Sequence, residues 1–301
     1  MKVAVAKLPT KASVDIAKRV DAVDWPRIVA DLDAQGWAIV EKLLGPDECE
    51  EAIALYGDEA AFRSRIVMAR HGFGQGEYKY FEYPLPAIVA KLRNSIYPHL
   101  APIANQWHEA MGLEARFPNQ HAAFIARCHN AGQTRPTPLL LKYSKGDYNA
   151  LHQDLYGEHV FPLQVAILLS RPQQDFTGGE FVMTEQRPRM QSRAEVVPLS
   201  QGDGVVFTVR QRPVEGSRGV YRVNLRHGVS RIRSGRRHTL GIIFHDAEWA
   251  GRFGSEEAAR CSSSSRSRAF LVSEAARSNS PRASSFRPNL ARRSPRTAGS
   301  R

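Results

Sequence analysis

The sequence predicts a mostly β fold, a jelly roll preceded by N-terminal helices. Helical patterns with capping residues fill the first part of the chain, and at least seven short apolar runs follow Pro136, separated by Gly, Pro and charged turns. Short strands with a turn signal about every ten residues are typical of an antiparallel sandwich or barrel and not of βαβ units. We therefore expect a helical region at 1–135, a β core at 136–250 and a disordered Ser/Arg-rich tail at 251–301.

The helices of the first part are placed by their caps. Asp24, Pro26 and Gly36 predict the start and the end of a short amphipathic helix. The run WAIVEKLL then predicts a strand, and GPDECEEAIALYG predicts a second capped helix. The run LPAIVAKLRNSIYPHLAPIANQWHEAMG predicts one or two helices broken near Pro98 and Pro102, and NQHAAFIARCHNAG predicts another helix.

The apolar runs of the second part are the predicted strands of the jelly roll. Each is short enough for a strand and is bounded by turn residues. The runs are PLLLKYS, LQVAILLS, GGEFVMTE, AEVVPL, GVVFTV, YRVNLRHG and HTLGIIFH.

Composition limits the class of protein. The three cysteines are widely spaced and odd in number, which fits neither a disulfide framework nor a CxxC zinc site and favours a reducing, cytoplasmic setting. No run approaches the roughly 18 apolar residues of a membrane span, so we expect no membrane partner. The oligomeric state is left open by the sequence.

The net charge of +12 is unevenly distributed. Residues 251–301 contain eleven Arg, no Lys and three Glu and therefore carry +8, which leaves +4 for residues 1–250. An Arg/Ser-rich tail attracts polyanions whatever the function of residues 1–250. The tail is thus either an arm that binds RNA or DNA or an extension without a role, and the charge alone is weak support for a nucleic-acid partner.

The stretch YNALHQDLYGEH, residues 148–159, suggests a metal site. Residues i and i+2 of a strand share a face, so His152 and Asp154 are predicted to point the same way. His227, at the end of the distant strand in NLRHGVS, supplies a third ligand. Two histidines and a carboxylate fill three positions on Fe(II) and leave three open. Other histidines of the same half are alternatives that we rank lower: His159, His238 and His245.

An iron site that takes 2-oxoglutarate also needs a cation for the distal carboxylate, because a buried carboxylate is costly unless it is paired. Arg237 lies ten residues after His227 and opens the next predicted strand. Thr239 shares its face, so both can meet a carboxylate. Alone, Arg237 would be interpreted as a surface arginine beside Arg236; together with the triad it is the predicted carboxylate clasp.

From about Pro138 to Asp246 the chain resembles the iron(II)/2-oxoglutarate dioxygenases with an HxD…H triad and an R-x-[ST] clasp, in particular the prolyl-hydroxylase-like members. LKYSKGDYNALHQD is similar to their lead-in, with Tyr143 and Tyr148 at nearly matching positions, and FTGGEFVMTE is similar to their D-G-G-E strand, with Thr177 in place of Asp. The resemblance implies a cupin-like double-stranded β-helix, the cofactors Fe(II), 2-oxoglutarate and O2, release of succinate and CO2, and a role for Tyr143 at the cosubstrate.

Three longer runs resemble a prokaryotic branch of this superfamily that is labelled as oxidising damaged, alkylated nucleic acid: ALHQDLYGEHVFPLQVAILLS, TEQRPRMQSRAEVVPL and RVNLRHGVSRIRSGRRHTLGIIFHDA. The resemblance covers about residues 20–247 and implies C–H hydroxylation, loss of an N-methyl group as formaldehyde and a role in DNA repair. The motifs specify the iron chemistry and not the substrate. A hydroxylase of a protein side chain or small molecule is the alternative, and a non-catalytic cupin-like binding module is a distant one.

The stretch RHGFGQGEYKYFEYPLP, residues 70–86, is the predicted substrate contact. It combines glycines with aromatic and cationic side chains, as expected of a lid that stacks on a flipped base. The candidate residues are Arg70, Tyr78, Tyr80 and Phe81, with Phe73, Lys79 and Tyr83 in the same stretch. The alternative is a hairpin whose aromatic side chains pack on the barrel. EQRPRMQSR is either a basic rim or, more simply, a solvated turn.

Overall fold

The structure is a computed structural model that describes residues 15–155 and 157–248. The tail at 251–301, predicted to be disordered, lies outside these residues. The helices are α1 (Ile16–Asp21), α2 (Trp25–Gln35), α3 (Pro46–Ala54), α4 (Ala87–Ala110) and α5 (His121–Asn130). The strands are β1 (Trp37–Val40), β2 (Phe62–Val67), β3 (Gly74–Gln75), β4 (Glu77–Phe81), β5 (Leu139–Ser144), β6 (Tyr148–His152), β7 (Leu163–Leu168), β8 (Phe176–Gly178), β9 (Phe181–Gln186), β10 (Arg193–Val197), β11 (Gly204–Thr208), β12 (Gln211–Gly216), β13 (Gly219–Val229) and β14 (Ile232–Ile242).

Two antiparallel sheets form the β core. The larger sheet has eight strands in the order β1-β11-β7-β14-β5-β4-β2, with β8 beside β14, and the smaller has six in the order β10-β9-β13-β6-β3, with β12 beside β13. The chain passes repeatedly from one sheet to the other, so that β5, β7, β11 and β14 face β6, β9, β10 and β13. This connectivity is a double-stranded β-helix, and the predicted jelly roll with N-terminal helices is confirmed.

The capped helices and the apolar strands formed where the sequence predicted them. The Asp24 side chain accepts a hydrogen bond from the Arg27 N–H at 3.1 Å, and Gly36 ends α2 in the left-handed conformation at φ 82°. Each of the seven apolar runs contains a strand. In the described part of the chain, no helix is both long and apolar enough to cross a membrane.

The expectation of a broken helix near Pro98 and Pro102 is wrong. Both prolines lie inside α4, which runs unbroken for 24 residues. A proline removes one backbone hydrogen bond, but α4 buries eleven side chains, among them Leu100 and Trp107, on the outer face of the larger sheet. The burial of this face outweighs the local cost of the two prolines.

The region 1–135 is also less helical than expected, because β1 to β4 extend both sheets. β4 pairs with β2 and β5, while β3 pairs with β6 of the smaller sheet. Residues 74–81 are therefore integrated into the barrel, as the alternative hairpin interpretation had it, and are not a separate lid.

Buried charges fasten the end of the last strand to the helices. The Arg93 guanidinium on α4, which is 2% exposed, donates to the Asp246 carboxylate at 2.7 Å and to the carbonyls of Ile243 and His245. Tyr83 and His129 also contact Asp246, at 2.9 and 2.8 Å. This network closes the core around the segment that follows β14.

Candidate active site

The predicted metal ligands meet where the end of β6 pairs with β13. His152 is the last residue of β6 and pairs directly with His227 on β13. Asp154 lies two residues beyond the strand, so it reaches the site from the irregular segment after β6 and not, as the sequence argument had it, from the same strand face. One ligand atom from each residue lies within 4.8 Å of the others. Asp154 is 3.4 Å from Nε2 of both histidines.

A close approach of two backbones brings the histidines together. Gly228, next to His227, stands where a Cβ atom would lie 2.7 Å from the carbonyl oxygen of Asn149 on β6. The pairing register also shifts between His227 and Val229. A glycine and a β-bulge at this point allow β6 and β13 to present both imidazoles to the same volume.

The electrostatics of the three residues suit a cation. Burial favours the neutral form of Asp154, but the charges and hydrogen bonds of His152 and His227 outweigh it and hold the pKa of this carboxyl well below its usual range. Burial, together with the neighbouring His152, lowers the pKa of His227 and favours the neutral form that binds a metal. Burial acts the same way on His152, but Asp154 and hydrogen bonds outweigh it and raise the pKa of His152. The Nδ1 atom of His152 lies 2.8 Å from the Ala150 carbonyl, which fixes the tautomer and directs Nε2 to the site.

Apolar rings surround the buried histidine. The His227 ring stacks on Phe181 with centroids 5.9 Å apart and contacts Phe207 at 4.6 Å. These rings hold the imidazole in place and exclude water from one side of the site.

The predicted clasp residues lie deeper in the barrel. Arg237 on β14 pairs with Tyr143 on β5, and both side chains face inwards. The guanidinium is 1% exposed, donates to the Thr239 hydroxyl and lies 5.8 Å from the ring centroids of Tyr143 and Phe176. Within the described ranges, neither Nε of Arg237 nor the hydroxyl of Tyr143 has a hydrogen-bond partner. Burial lowers the pKa of Arg237 to about 10.

These unpaired donors fit an anionic group. A buried guanidinium without a carboxylate is costly, and its fork geometry suits a carboxylate that arrives from outside the protein. The link between β8 and β9 shapes this space. Gly178 and Gly179 adopt φ +71° and +66°, and a Cβ on Gly179 would lie 2.2 Å from Ile232 and 3.0 Å from Arg237. In the sequence, Gly178 and Gly179 stood out only through the resemblance of FTGGEFVMTE to the D-G-G-E strand. In the structure, the missing Cβ of Gly179 leaves room for the Arg237 side chain.

The alternative ligands lie elsewhere. His245 is fully buried and accepts a hydrogen bond from the Phe161 N–H, and burial lowers its pKa to about 4. His238 is half-buried beside Tyr56, and His159 belongs to the loop after Asp154 and bonds to Gln133 through its backbone. Among residues 15–155 and 157–248, His152, Asp154 and His227 are the group that can hold a metal ion.

Of the four predicted substrate residues, three lie on the two faces of β4 and the fourth, Arg70, lies outside the strand. Tyr78 and Tyr80 are half-buried on the face of β4 that continues the barrel interior, with rings 5.3 Å apart, and burial, with Tyr80 and Asp154 as charged neighbours, raises the pKa of Tyr78. The Arg63 guanidinium lies 4.4 Å from the Tyr80 ring. Arg70 is exposed at the end of the short 3-10 turn Met68–Arg70.

The expectation that Phe81 contacts a substrate is wrong. Its side chain is fully buried in the core below the helices and stacks on Phe62 at 4.7 Å. Lys79 points the same way, is 3% exposed and pairs with Glu59 at 2.5 Å. Because side chains alternate along a strand, β4 sends Tyr78 and Tyr80 to one face and these two residues to the other.

Comparison with known proteins links this site to an oxygenase family. A model of the family described as "Oxygenase, catalysing oxidative methylation of damaged DNA" matches residues 76–247, which contain the triad and the clasp. Uncharacterized proteins from two strains of Mycobacterium tuberculosis are 55% identical over 167 residues, which cover 56% of this chain and 72% of each relative.

Solved structures of similar folds are more distant. A Pseudomonas putida prolyl-4-hydroxylase is 16% identical, with a TM-score of 0.41, over 75% of this chain and 100% of that chain. An oxidoreductase of the 2OG-Fe(II) oxygenase family from Burkholderia pseudomallei is 15% identical, with a TM-score of 0.44, over 75% of this chain and 94% of that chain.

Proposed function

The chain belongs to the family of oxygenases described as catalysing oxidative methylation of damaged DNA, and from this premise we propose that it is an Fe(II)- and 2-oxoglutarate-dependent dioxygenase that oxidatively demethylates alkylated nucleic acid. The observation that carries the proposal is the presence, in one barrel, of a His/Asp/His group and a buried guanidinium without an anion. A binding module needs no such guanidinium in register with the ligands.

The side chains fit the two cofactors. His152, Asp154 and His227 would hold Fe(II), because two imidazoles and one carboxylate leave open positions for a bidentate cosubstrate and O2. Arg237, Thr239 and Tyr143 would hold the distal carboxylate of 2-oxoglutarate. Bound there, the two cofactors supply the oxidising chemistry, with O2 as the oxidant and succinate and CO2 as products.

The protein contributes positioning and exclusion of water. The Ala150 carbonyl fixes the tautomer of His152, and Phe181 and Phe207 hold the ring of His227. The buried Arg237 would pair with the distal carboxylate of 2-oxoglutarate and so help to orient the cosubstrate. These groups act without movement because each is packed in the barrel.

The substrate assignment is supported by the family description and by a cationic and aromatic wall beside the site. Arg63, Tyr80 and Tyr78 follow one another on the inner side of β2 and β4, and Asp154 lies among the charged neighbours of Tyr78. Aromatic rings and a guanidinium are the groups that bind an unstacked base. Hydroxylation of an N-methyl group on that base releases formaldehyde.

We assign the activity to DNA repair in the cytoplasm, in accord with the free thiols of Cys49 and Cys128.

The test is a parallel measurement of succinate and formaldehyde. The full chain is supplied with Fe(II), 2-oxoglutarate and either methylated oligonucleotides, the same oligonucleotides unmethylated, peptides or free amino acids, with His227→Ala as the inactive control. We expect formaldehyde from methylated oligonucleotides alone. Hydroxylation of a peptide or amino acid, with equal and low formaldehyde from both oligonucleotides, would assign the enzyme to the alternative substrate class.

A further inference from the structure

Exposed apolar side chains flank the metal ligands. Seven large hydrophobic side chains of the described residues are exposed, and three of them adjoin the HxD segment. Leu151 precedes His152 and is 45% exposed, Leu155 follows Asp154 and is 40% exposed, and Phe73 is 39% exposed. The carbonyl of Phe73 accepts a hydrogen bond from the Ala150 N–H at 2.9 Å, which places it beside the same strand. Leu151 and His152 are neighbours on β6, so Leu151 points to the opposite face of the strand from the metal ligands, and Phe73 and Leu155 are the exposed apolar side chains considered as a binding surface.

The loop that carries Phe73 is fixed to the barrel. Its first residue, Met68, is fully buried and donates through its N–H to the Gly76 carbonyl at 3.0 Å, and the Phe73 N–H donates to the Met68 carbonyl at 3.2 Å. Gly74 has φ +125°, and a Cβ there would lie 2.4 Å from the carbonyl oxygen of Tyr148 on β6. The loop can lie this close to β6 only with a glycine, and this contact positions the backbone from which the Phe73 ring projects.

A flat aromatic pair forms the outer part of this surface. The rings of His71 and Phe73 are stacked with centroids 5.4 Å apart and planes 21° apart, and both residues are exposed. Arg70, also exposed, precedes His71. A rigid stacked pair with a neighbouring cation matches the π face and the phosphate of a nucleotide, whereas a peptide side chain gains less from a flat surface.

We propose that His71, Phe73 and Leu155, here named the apolar rim, bind the base next to the target base in a single-stranded nucleic acid, with Phe73 as the stacking residue. The inference rests on the proposed function and extends it, because it assigns a second base subsite outside the barrel. The target base enters between the rim and the wall formed by Tyr78 and Tyr80, and its neighbour stacks on the rim.

The test uses the full chain and a single-stranded oligonucleotide that carries 2-aminopurine, whose fluorescence is quenched by stacking. We expect the wild type to quench it and Phe73→Ala to lose most of the quenching and to weaken binding about 5- to 100-fold. Phe73→Tyr retains the stacking ring and should behave as the wild type. Val220→Ala is the matched control, since Val220 is 44% exposed and lies seven residues from His227 along β13, roughly 20 Å away.

Three outcomes overturn the proposal. Unchanged quenching and affinity in Phe73→Ala exclude a stacking role, and full affinity in Phe73→Leu shows a general apolar contact without recognition of a base. A Phe73→Ala protein that loses peptide hydroxylation and keeps oligonucleotide binding would assign the rim to a protein partner. Quenching needs no catalysis, so the two proposals can fail separately. Loss of quenching in Phe73→Ala supports base stacking on the rim even if no formaldehyde forms. Formaldehyde release with unchanged quenching in Phe73→Ala supports the proposed function and excludes the rim as a base subsite.

Discussion

Replacement of Arg237 by methionine should separate cosubstrate binding from folding. Burial lowers the pKa of this guanidinium from 12.5 to about 10. A shift of this size corresponds to roughly 3 kcal/mol against the charged form, since one pKa unit is about 1.4 kcal/mol. A cosubstrate carboxylate recovers free energy of that order when it pairs with the guanidinium. We therefore expect Arg237→Met to raise the KM for 2-oxoglutarate by about 100-fold, with iron binding unchanged.

The free protein should be at least as stable after this substitution. Methionine fills a similar volume and removes a buried charge that has no salt bridge among the described residues. Thermal melts with and without 2-oxoglutarate measure this: the cosubstrate should raise the Tm of the wild type and not that of Arg237→Met. Arg236→Met is the control, because Arg236 is the exposed neighbour. An unchanged KM, or a large loss of Tm in the free variant, would refute the reasoning.

Three further predictions concern Gly179, Asp246 and the tail. Gly179→Ala places a Cβ 2.2 Å from Ile232 on a residue with left-handed backbone, so it should lower the free energy of unfolding by about 1 to 3 kcal/mol and raise the KM for 2-oxoglutarate. Denaturant melts and succinate assays measure the two effects, and wild-type values in both would contradict the packing argument. Asp246→Ala leaves Arg93 buried and unpaired and should cost about 3 to 5 kcal/mol in the same melts. Burial raises the pKa of Asp246, but Arg93 and the hydrogen bonds outweigh it and hold this pKa below 3.8. The stability from the carboxylate is therefore present above pH 3.8 and is lost as the pH falls through the lower folded pKa. An acid titration in which Asp246→Ala loses as much stability as the wild type would contradict this. Removal of residues 251–301 should leave a cooperative thermal transition and 2-oxoglutarate turnover intact while nucleic-acid affinity and its salt dependence fall; loss of the transition would show that the tail is part of the fold.

The strands that the sequence predicted are those whose residues are apolar enough to be recognised without their neighbours. β7 and β11 are buried along their whole length, and their runs LQVAIL and GVVFT read as strands in isolation. β2 was not predicted and β4 was predicted only by the alternative hairpin interpretation, because FRSRIV and EYKYF mix charged and aromatic residues and become strands through pairing near the edge of the larger sheet. α4 likewise continues through two prolines because of tertiary packing, which local propensity does not contain.

The meeting of His152, Asp154 and His227 could be predicted from the HxD spacing and a distant histidine, and their role as metal ligands and that of Arg237 as the clasp stay predictions. Alternation along β4 predicts that Tyr78 and Tyr80 share one face and that Lys79 and Phe81 share the other. The sequence does not show which of the two faces packs in the core below the helices, because that face carries a lysine. The pairing of Arg93 with Asp246 had no signal in one sequence, since the two residues lie 153 positions apart. The roles of Gly179 and Gly228 depend on contacts between strands that only the fold reveals.

The most direct test of the site is an anaerobic titration of Fe(II) into the wild type and into His152→Ala, Asp154→Ala and His227→Ala, with His159→Ala as a matched histidine variant beside the site. The triad predicts one high-affinity Fe(II) per chain in the wild type and in His159→Ala, and loss of that affinity in each of the three other variants. Tight binding of one Fe(II) by all three variants would contradict the assignment of these residues as the metal ligands.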